Sequence, residues 1–226
     1  VSTGYMGFGE RQGPNNELYD STLGIIAHEF GHSAFNLRDL YAQPAAISYW
    51  GLMGSGSWGY KAGERIGTRP VHMTAYSKMS AYLQGGNYGF FQPTTLNANG
   101  SSQLITTSHA FDASSYDFFR VPGENNYQFW LIEQRKAEGY DEGLLRNGGE
   151  HTGNMVAGDT GILVSYSDSA SRLYIQRMDG ESDGTKKTNM MYAGNVSTFS
   201  PTTAVSSAYP GSGNFSGLWI EQVSAP

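Results

Sequence analysis

The chain of 226 residues contains no cysteine. Disulfides and thiolate metal sites are therefore excluded, and any bound metal has to use imidazole, carboxylate or other oxygen ligands. Absence of cysteine does not exclude secretion. It leaves stability outside the cell to packing and to bound ions. Basic residues are scarce too: Lys and Arg total 14 against 20 Asp and Glu, for a formal net charge of −6. They form no basic stripe, so the electrostatic footprint of nucleic-acid binding is missing. There is no apolar run of about 18 residues, the length a membrane span needs. No signal peptide is visible, and the chain starts at Val1 without a Met, as a processed form or an excised fragment would. No internal repeat is present. Glycine (30 residues) and tyrosine (15) are abundant. An acidic, Gly/Ser/Asn/Tyr-rich chain with few lysines suits a secreted bacterial protein. The length is enough for one large domain or two small ones and for a sizeable core.

The most informative stretch is His28-Glu29-Phe30-Gly31-His32, an H-E-x-x-H pattern preceded by the apolar run Leu23-Gly24-Ile25-Ile26-Ala27. On a helix the two histidines are one turn apart, at about 6 Å of rise, so both imidazoles project from one face. At that spacing both can reach one Zn²⁺ at about 2.0–2.1 Å. Glu29 follows the first histidine and can take a proton from a water acidified by the metal. A carboxylate in an apolar helix is costly unless it has a role. The pattern points to metal-assisted hydrolysis of peptide bonds, although two core histidines can also fall four apart by chance.

The third ligand is open between two carboxylates. In the extended pattern H-E-x-x-H-x-x-G-x-x-H a glycine breaks the helix and the chain swings the last ligand back. Here those two positions hold Phe35 and Arg38. Shifted by one residue the logic returns, because Asn36 suits a left-handed helix end and Asp39 lies three residues beyond it. Asp39 is the favoured oxygen ligand, and Glu64 from a more distant segment is the alternative. The stretch Trp50-Gly51-Leu52-Met53-Gly54-Ser55-Gly56 reads as a tight, aromatic-anchored turn. It fits the methionine-bearing turn that lies under the metal in the extended pattern.

Along the rest of the chain, Asp20 or Ser21 can cap the first helix. Leu23, Ile26, Ala27 and Phe30 give that helix a core-facing stripe, with both histidines on the neighbouring face. A second helix is expected from Arg69 or Pro70 to about Leu83, capped by Thr68 and ended by Gly85-Gly86. Thr3 to Phe8 reads as a short strand. After residue 93 short alternating runs signal strands: 103–107, 117–121, 128–135, 160–166, 172–177 and 217–223. Residues 197–216 read as a long loop. The expected fold class is α+β, with a zinc-bearing catalytic core over residues 1–92 and a β-rich portion over residues 93–226 packed on it.

Three stretches, His28 to His32, Leu37-Arg38-Asp39-Leu40-Tyr41 and Trp50 to Trp58, together resemble the immune-inhibitor-A-type (M6-like) secreted bacterial metallopeptidases. Gly67-Thr68-Arg69-Pro70-Val71-His72-Met73-Thr74-Ala75-Tyr76-Ser77-Lys78 is similar to the helix that follows the turn in that family. Phe129 to Arg135, Gly139-Tyr140-Asp141 and Gly161 to Tyr166 resemble its strand motifs. The resemblance implies a zincin-like (metzincin-type) catalytic core with an active-site helix and a Met-turn. It also implies a zinc endopeptidase secreted as a larger precursor, with a pro-segment or further domains and with calcium as a stabilising ion. His28, His32 and Asp39 carry over as ligands and Glu29 as base. The sheet-bearing upper subdomain that zincins place before the active-site helix is expected to be largely missing from this chain.

The chemistry so implied is hydrolysis of extracellular proteins or peptides, with Glu29 activating a zinc-bound water. His109, His151, Tyr76 and Tyr166 are candidates for stabilising the oxyanion. Asp179, Glu181 and Asp183 among glycines, and the pair Asp112 and Asp117, form oxygen-rich turns of the kind Ca²⁺ accepts, or plain solvated acidic turns. The competing functions are a non-catalytic zincin-like binding module for glycans or proteins and a metal-dependent amidase.

Overall fold

The structure, a computed structural model, describes residues 6–13, 17–41, 45–86, 91–96, 118–123, 125–145, 157–168, 172–176, 190, 198–199 and 218–221. Within them it is α+β. A short hairpin of β1 (Arg11–Gln12) and β2 (Tyr19–Asp20) leads into helix α1 (Leu23–Phe35). Helix α2 (Ala75–Ala81) follows. The strands of the main sheet are β3 (Ala45–Ala46), β4 (Thr94–Thr95), β5 (Phe118–Pro122), β6 (Phe129–Lys136), β7 (Thr160–Ser167) and β8 (Leu173–Gln176). A separate pair joins β9 (Thr198–Phe199) to β10 (Ile220–Glu221).

The sheet order is β3-β8-β7-β6-β5-β4. The four central strands pair antiparallel, whereas the two edge strands pair parallel with their neighbours. The alternating runs expected around 117–121, 128–135, 160–166 and 172–177 are thus β5 to β8. Of the expected run 217–223 only β10 is seen, and 103–107 lies outside the described residues. Strand side chains alternate between faces, which explains how β6 serves two cores. Trp130 and Ile132 pack with Phe119, Val164, Tyr166 and Leu218. Phe129 and Leu131 point the other way and pack with Ala75 and Met79 of α2 and with Phe118. Glu133 and Arg135 share the parity of Phe129 and Leu131, so the strand also delivers two buried charges to the helical side.

Helix α1 differs from its sequence reading in two respects. Its N-cap is Thr22, not Asp20 or Ser21, and no side-chain cap bond forms. Asp20 is held opposite Arg11 in the hairpin, and the Ser21 N–H donates to the Glu10 carbonyl. The Thr22 hydroxyl donates to the Ile66 carbonyl instead of capping. The second difference is the packing face. Leu23 is 60% and Phe30 52% exposed, while the buried positions are Gly24, His28 and Gly31. A Cβ on Gly24 would lie 1.8 Å from the Ser57 carbonyl oxygen, and one on Gly31 would lie 2.6 Å from Met53 Sδ. Close approach through small residues chose the buried face over the apolar stripe.

Helix α2 starts later than its pattern suggested. Thr74 is the cap, accepting from the Ser77 N–H, and Thr68 instead donates to the Arg65 carbonyl in a turn. The backbone ahead of α2 is already in use: Val71 N–H donates to Gly56 and His72 carbonyl accepts from Leu52. Those bonds hold the segment extended against the 50–58 turn. A π-turn over Tyr82–Gly86 ends the helix. No strand is assigned at residues 6–8, and Thr3 to Tyr5 lie outside the described residues. So do residues 197 and 200–216 of the expected loop, whose residues 198–199 instead form β9 by pairing with β10.

A candidate metal centre on the first helix

His28 and His32 stand four residues apart on α1 with ring centroids 4.8 Å from each other. Their Nε2 atoms are separated by 3.2 Å. Asp39 Oδ1 lies 3.0 Å from His28 Nε2 and 3.1 Å from His32 Nε2. Among the described residues these three form the group able to hold a metal ion. Tetrahedral zinc with ligands at about 2.0–2.1 Å needs donor atoms roughly 3.3 Å apart. The observed triangle fits that requirement closely.

Local chain geometry builds the triangle. Asn36 adopts a left-handed conformation, φ 50° and ψ 37°, and its N–H bonds back to the His32 carbonyl. This is the helix end expected from the sequence. It turns the chain so that the Leu37 carbonyl meets His32 Nδ1 at 2.6 Å and Asp39 comes beside both imidazoles. The turn after Trp50 completes the frame. The Leu52 carbonyl lies 2.9 Å from His28 Nδ1, and the Met53 carbonyl accepts the Leu40 N–H at 2.6 Å. Met53 is fully buried beneath Gly31.

These contacts decide the tautomers. A carbonyl can only accept, so each Nδ1 must carry the proton and donate it. In the neutral rings each Nε2 is then a lone pair aimed at the other and at the Asp39 carboxylate. Three acceptors converge without a donor between them, a costly arrangement unless a cation sits among them. The donor set of two imidazoles and one carboxylate suits a borderline divalent ion such as zinc.

Glu29 is half-buried on the flank of His28. Among the described residues its carboxylate has no hydrogen-bond or ion-pair partner. Tyr41, a residue the sequence reading passed over, stands at the same place. The neighbouring Asp39 carboxylate raises the phenol's pKa above its ordinary value. The Tyr41 ring stacks on His28 at 6.0 Å. The i, i+2 spacing of Asp39 and Tyr41 was the available signal.

Glu64 does not join the triangle. Both its oxygens accept from Arg69 Nε at 2.8 Å, and it also accepts the Lys61 N–H. The Arg69 guanidinium holds its carboxyl down to about 2. Tyr76 and Tyr166 are also placed elsewhere: Tyr76 stacks on Phe129 and under Arg38, and Tyr166 packs on Trp130 in the sheet core. His109, His151, Asp112, Asp117, Asp179, Glu181 and Asp183 lie outside the described residues.

Behind the turn is a buried ionic network. Arg135 and Asp141, both fully buried, pair through Nε–Oδ2 at 2.7 Å and Nη2–Oδ1 at 2.5 Å. Arg135 Nη1 donates to the Trp50 carbonyl at 2.8 Å, tying β6 to the turn beside the histidines. Asp141 also accepts the His72 N–H. Lys78 and Glu133 are 3.6 Å apart, and burial pulls the lysine down to about 8.

Residues 16–89 match the catalytic domain of the immune inhibitor A peptidases, M6. That segment, about a third of the chain, is M6-like. That segment contains the whole triangle, Glu29, Tyr41 and the Met53 turn. Over 131 residues the chain is also 28% identical to the pre-pro-metalloprotease PrtV of Vibrio cholerae serotype O1, strains M66-2 and El Tor Inaba N16961. That alignment takes in 49% of this chain and 14% of the PrtV length. No solved structure matches. Both likenesses support a metallopeptidase. Among the described residues no helix is long and apolar enough to cross a membrane.

Proposed function

We propose that this chain is a zinc-dependent endopeptidase acting on extracellular proteins. The observation that carries the reading is the convergence of His28 Nε2, His32 Nε2 and Asp39 Oδ1 at 3.0–3.2 Å, with each imidazole pinned by a carbonyl at its other nitrogen. His28, His32 and Asp39 would hold the zinc. When bound, the ion supplies Lewis acidity toward a scissile carbonyl and lowers the pKa of water.

The chain's own part falls to Glu29. Its carboxylate, without a partner among the described residues, takes one proton from the attacking water and passes it to the leaving amine nitrogen. One water is consumed, the C–N bond breaks, and a carboxylate and an amine leave. Met53 under Gly31 serves as the Met-turn of a metzincin-type core, giving the two ligands on α1 a firm base. The zinc-bearing unit spans residues 1–92, and residues 93–226 form the β-rich portion against it. Secretion, a longer precursor and calcium stabilisation belong to the same reading and rest on the family likeness.

Glu29→Gln tests the assignment. It should retain about one zinc per chain and lose roughly 10²–10⁴-fold in kcat on an unfolded protein substrate. His32→Ala should lose the metal. Full hydrolysis by Glu29→Gln would remove that residue from the mechanism, and full zinc binding by His32→Ala would remove the site.

A further inference from the structure

We propose that the buried pair Arg135–Asp141 positions the metal ligand His28, acting through the turn that follows Trp50. This rests on the reading of His28, His32 and Asp39 as the ligand set. The contacts form an unbroken path from the sheet to the imidazole. Arg135 lies in β6, paired with Gly161 of β7, and its Nη1 donates to the Trp50 carbonyl at 2.8 Å. Asp141 Oδ1 accepts the His72 N–H at 3.1 Å. The His72 carbonyl in turn accepts the Leu52 N–H at 3.4 Å, and the Leu52 carbonyl lies 2.9 Å from His28 Nδ1, whose proton it accepts. Three consecutive peptide groups are fixed in order: the first is gripped by Arg135, the second by His72, and the third holds His28.

The turn needs such clamps. Gly51 joins the first two of those peptides, is extended at φ −154° and ψ 153°, and has Thr74 Cγ2 only 2.6 Å from where a Cβ would stand. A residue without a side chain has the most conformational freedom to lose, so its conformation has to be set from outside. A guanidinium suits the task, because its planar fork serves several acceptors at once. Nε and Nη2 go to the two Asp141 oxygens at 2.7 and 2.5 Å, and Nη1 is left for Trp50. A buried ion pair can be replaced by apolar side chains with little loss of stability. Apolar side chains supply neither a donor for the Trp50 carbonyl nor an acceptor for the His72 N–H. What the charged pair adds over them is position. The group behind a ligating histidine fixes its ring orientation and basicity, and here that group is the Leu52 carbonyl at the end of the path.

The test uses the full chain as wild type, the double variant Arg135→Met with Asp141→Leu, Arg135→Lys, and His28→Ala. Zn²⁺ is titrated in competition with a chromophoric chelator, and the visible bands of the Co²⁺-loaded protein are recorded. The metal-free double variant should melt near wild type, because both buried charges leave together. Its zinc affinity should still fall about 10-fold, the lower end of the range for groups that touch a ligand directly, with shifted cobalt bands. A pair that served stability alone would leave both readouts at wild type. Arg135→Lys has an ammonium that cannot hold both Asp141 oxygens and the Trp50 carbonyl in a fork. It should lose affinity too, and it stands in for the double variant should that fail to fold. Wild-type affinity and cobalt bands in the folded variant, alongside lost affinity in His28→Ala, would overturn the positioning role and leave the ligand set standing. Wild-type affinity in His28→Ala would overturn the ligand set, and the positioning role with it.

Discussion

Asp141→Ala removes the anion that neutralises Arg135 behind the turn that follows Trp50. Both side chains are 0% exposed, and they share two hydrogen bonds. After truncation Arg135 keeps the Trp50 carbonyl and Glu133 at 3.7 Å. Glu133 is already engaged by Lys78 and by the Ala75 N–H. The buried group then holds two cations and one anion, and the His72 N–H loses its acceptor. Breaking one side of a buried pair costs about 3–5 kcal/mol, because the survivor remains desolvated. Total stability of a domain is about 5–15 kcal/mol, so the loss is large. At about 2–4 °C per kcal/mol for this size, the melting temperature should fall by roughly 6–20 °C. Urea unfolding of the metal-free protein, with the m-value unchanged, measures it directly. Replacing both partners by apolar residues (Arg135→Met with Asp141→Leu) should restore most of the loss. A single-variant loss under about 1 kcal/mol would refute the account, since it would mean that Arg135 finds water or another partner at no cost.

Other outcomes follow from the same contacts. Gly24→Ala gains up to about 1 kcal/mol of helix propensity. Its Cβ, however, would lie 1.8 Å from the Ser57 carbonyl oxygen, and overpacking costs about 1–3 kcal/mol or more. The variant should therefore be net destabilised in urea, and a stabilised one would contradict the packing. Asn36→Ala should cost about 1–2 kcal/mol for a left-handed residue, while Asn36→Gly stays within about 1 kcal/mol of wild type. Equal melting temperatures for the two would speak against the left-handed end. Burial, with Lys78 and Arg135 nearby, holds the pKa of His72 well below 6.5. Below pH 6.5 the unfolded chain then binds a proton that the folded chain refuses, so His72 costs stability as pH falls. The urea midpoint of chelator-treated protein should drop less between pH 7.5 and 5.5 in His72→Phe than in wild type, and equal drops would exclude this contribution.

Much of the candidate site was legible because it is local. The two histidines and Glu29 sit within one helical turn, where spacing alone sets geometry. Asn36 announced the left-handed helix end, and the three-residue offset then put Asp39 beside the imidazoles. The alternating runs from residue 118 onward became strands for the same local reason. The buried face of α1 was not legible. Apolar periodicity favoured Leu23 and Phe30, but the helix buried Gly24, His28 and Gly31, because two glycines let a loop and Met53 come closer than any side chain allows. The cap of α2 moved from Thr68 to Thr74 because bonds to Gly56 and Leu52 hold the preceding backbone extended.

By itself, then, the sequence determined what depends on neighbours along the chain: the helix, the pair of imidazoles on it, its end and the acid that follows. Only the tertiary structure decided what depends on distant segments meeting. Leu52 and Met53 hold His28 and Leu40 from across the turn, Arg135 reaches 85 residues back to the Trp50 carbonyl, and Glu64 is drawn to Arg69, apart from the histidines. Hydrogen bonds and ion pairs act over a few ångströms in space, and sequence spacing carries that information only when the chain between the partners is short and regular.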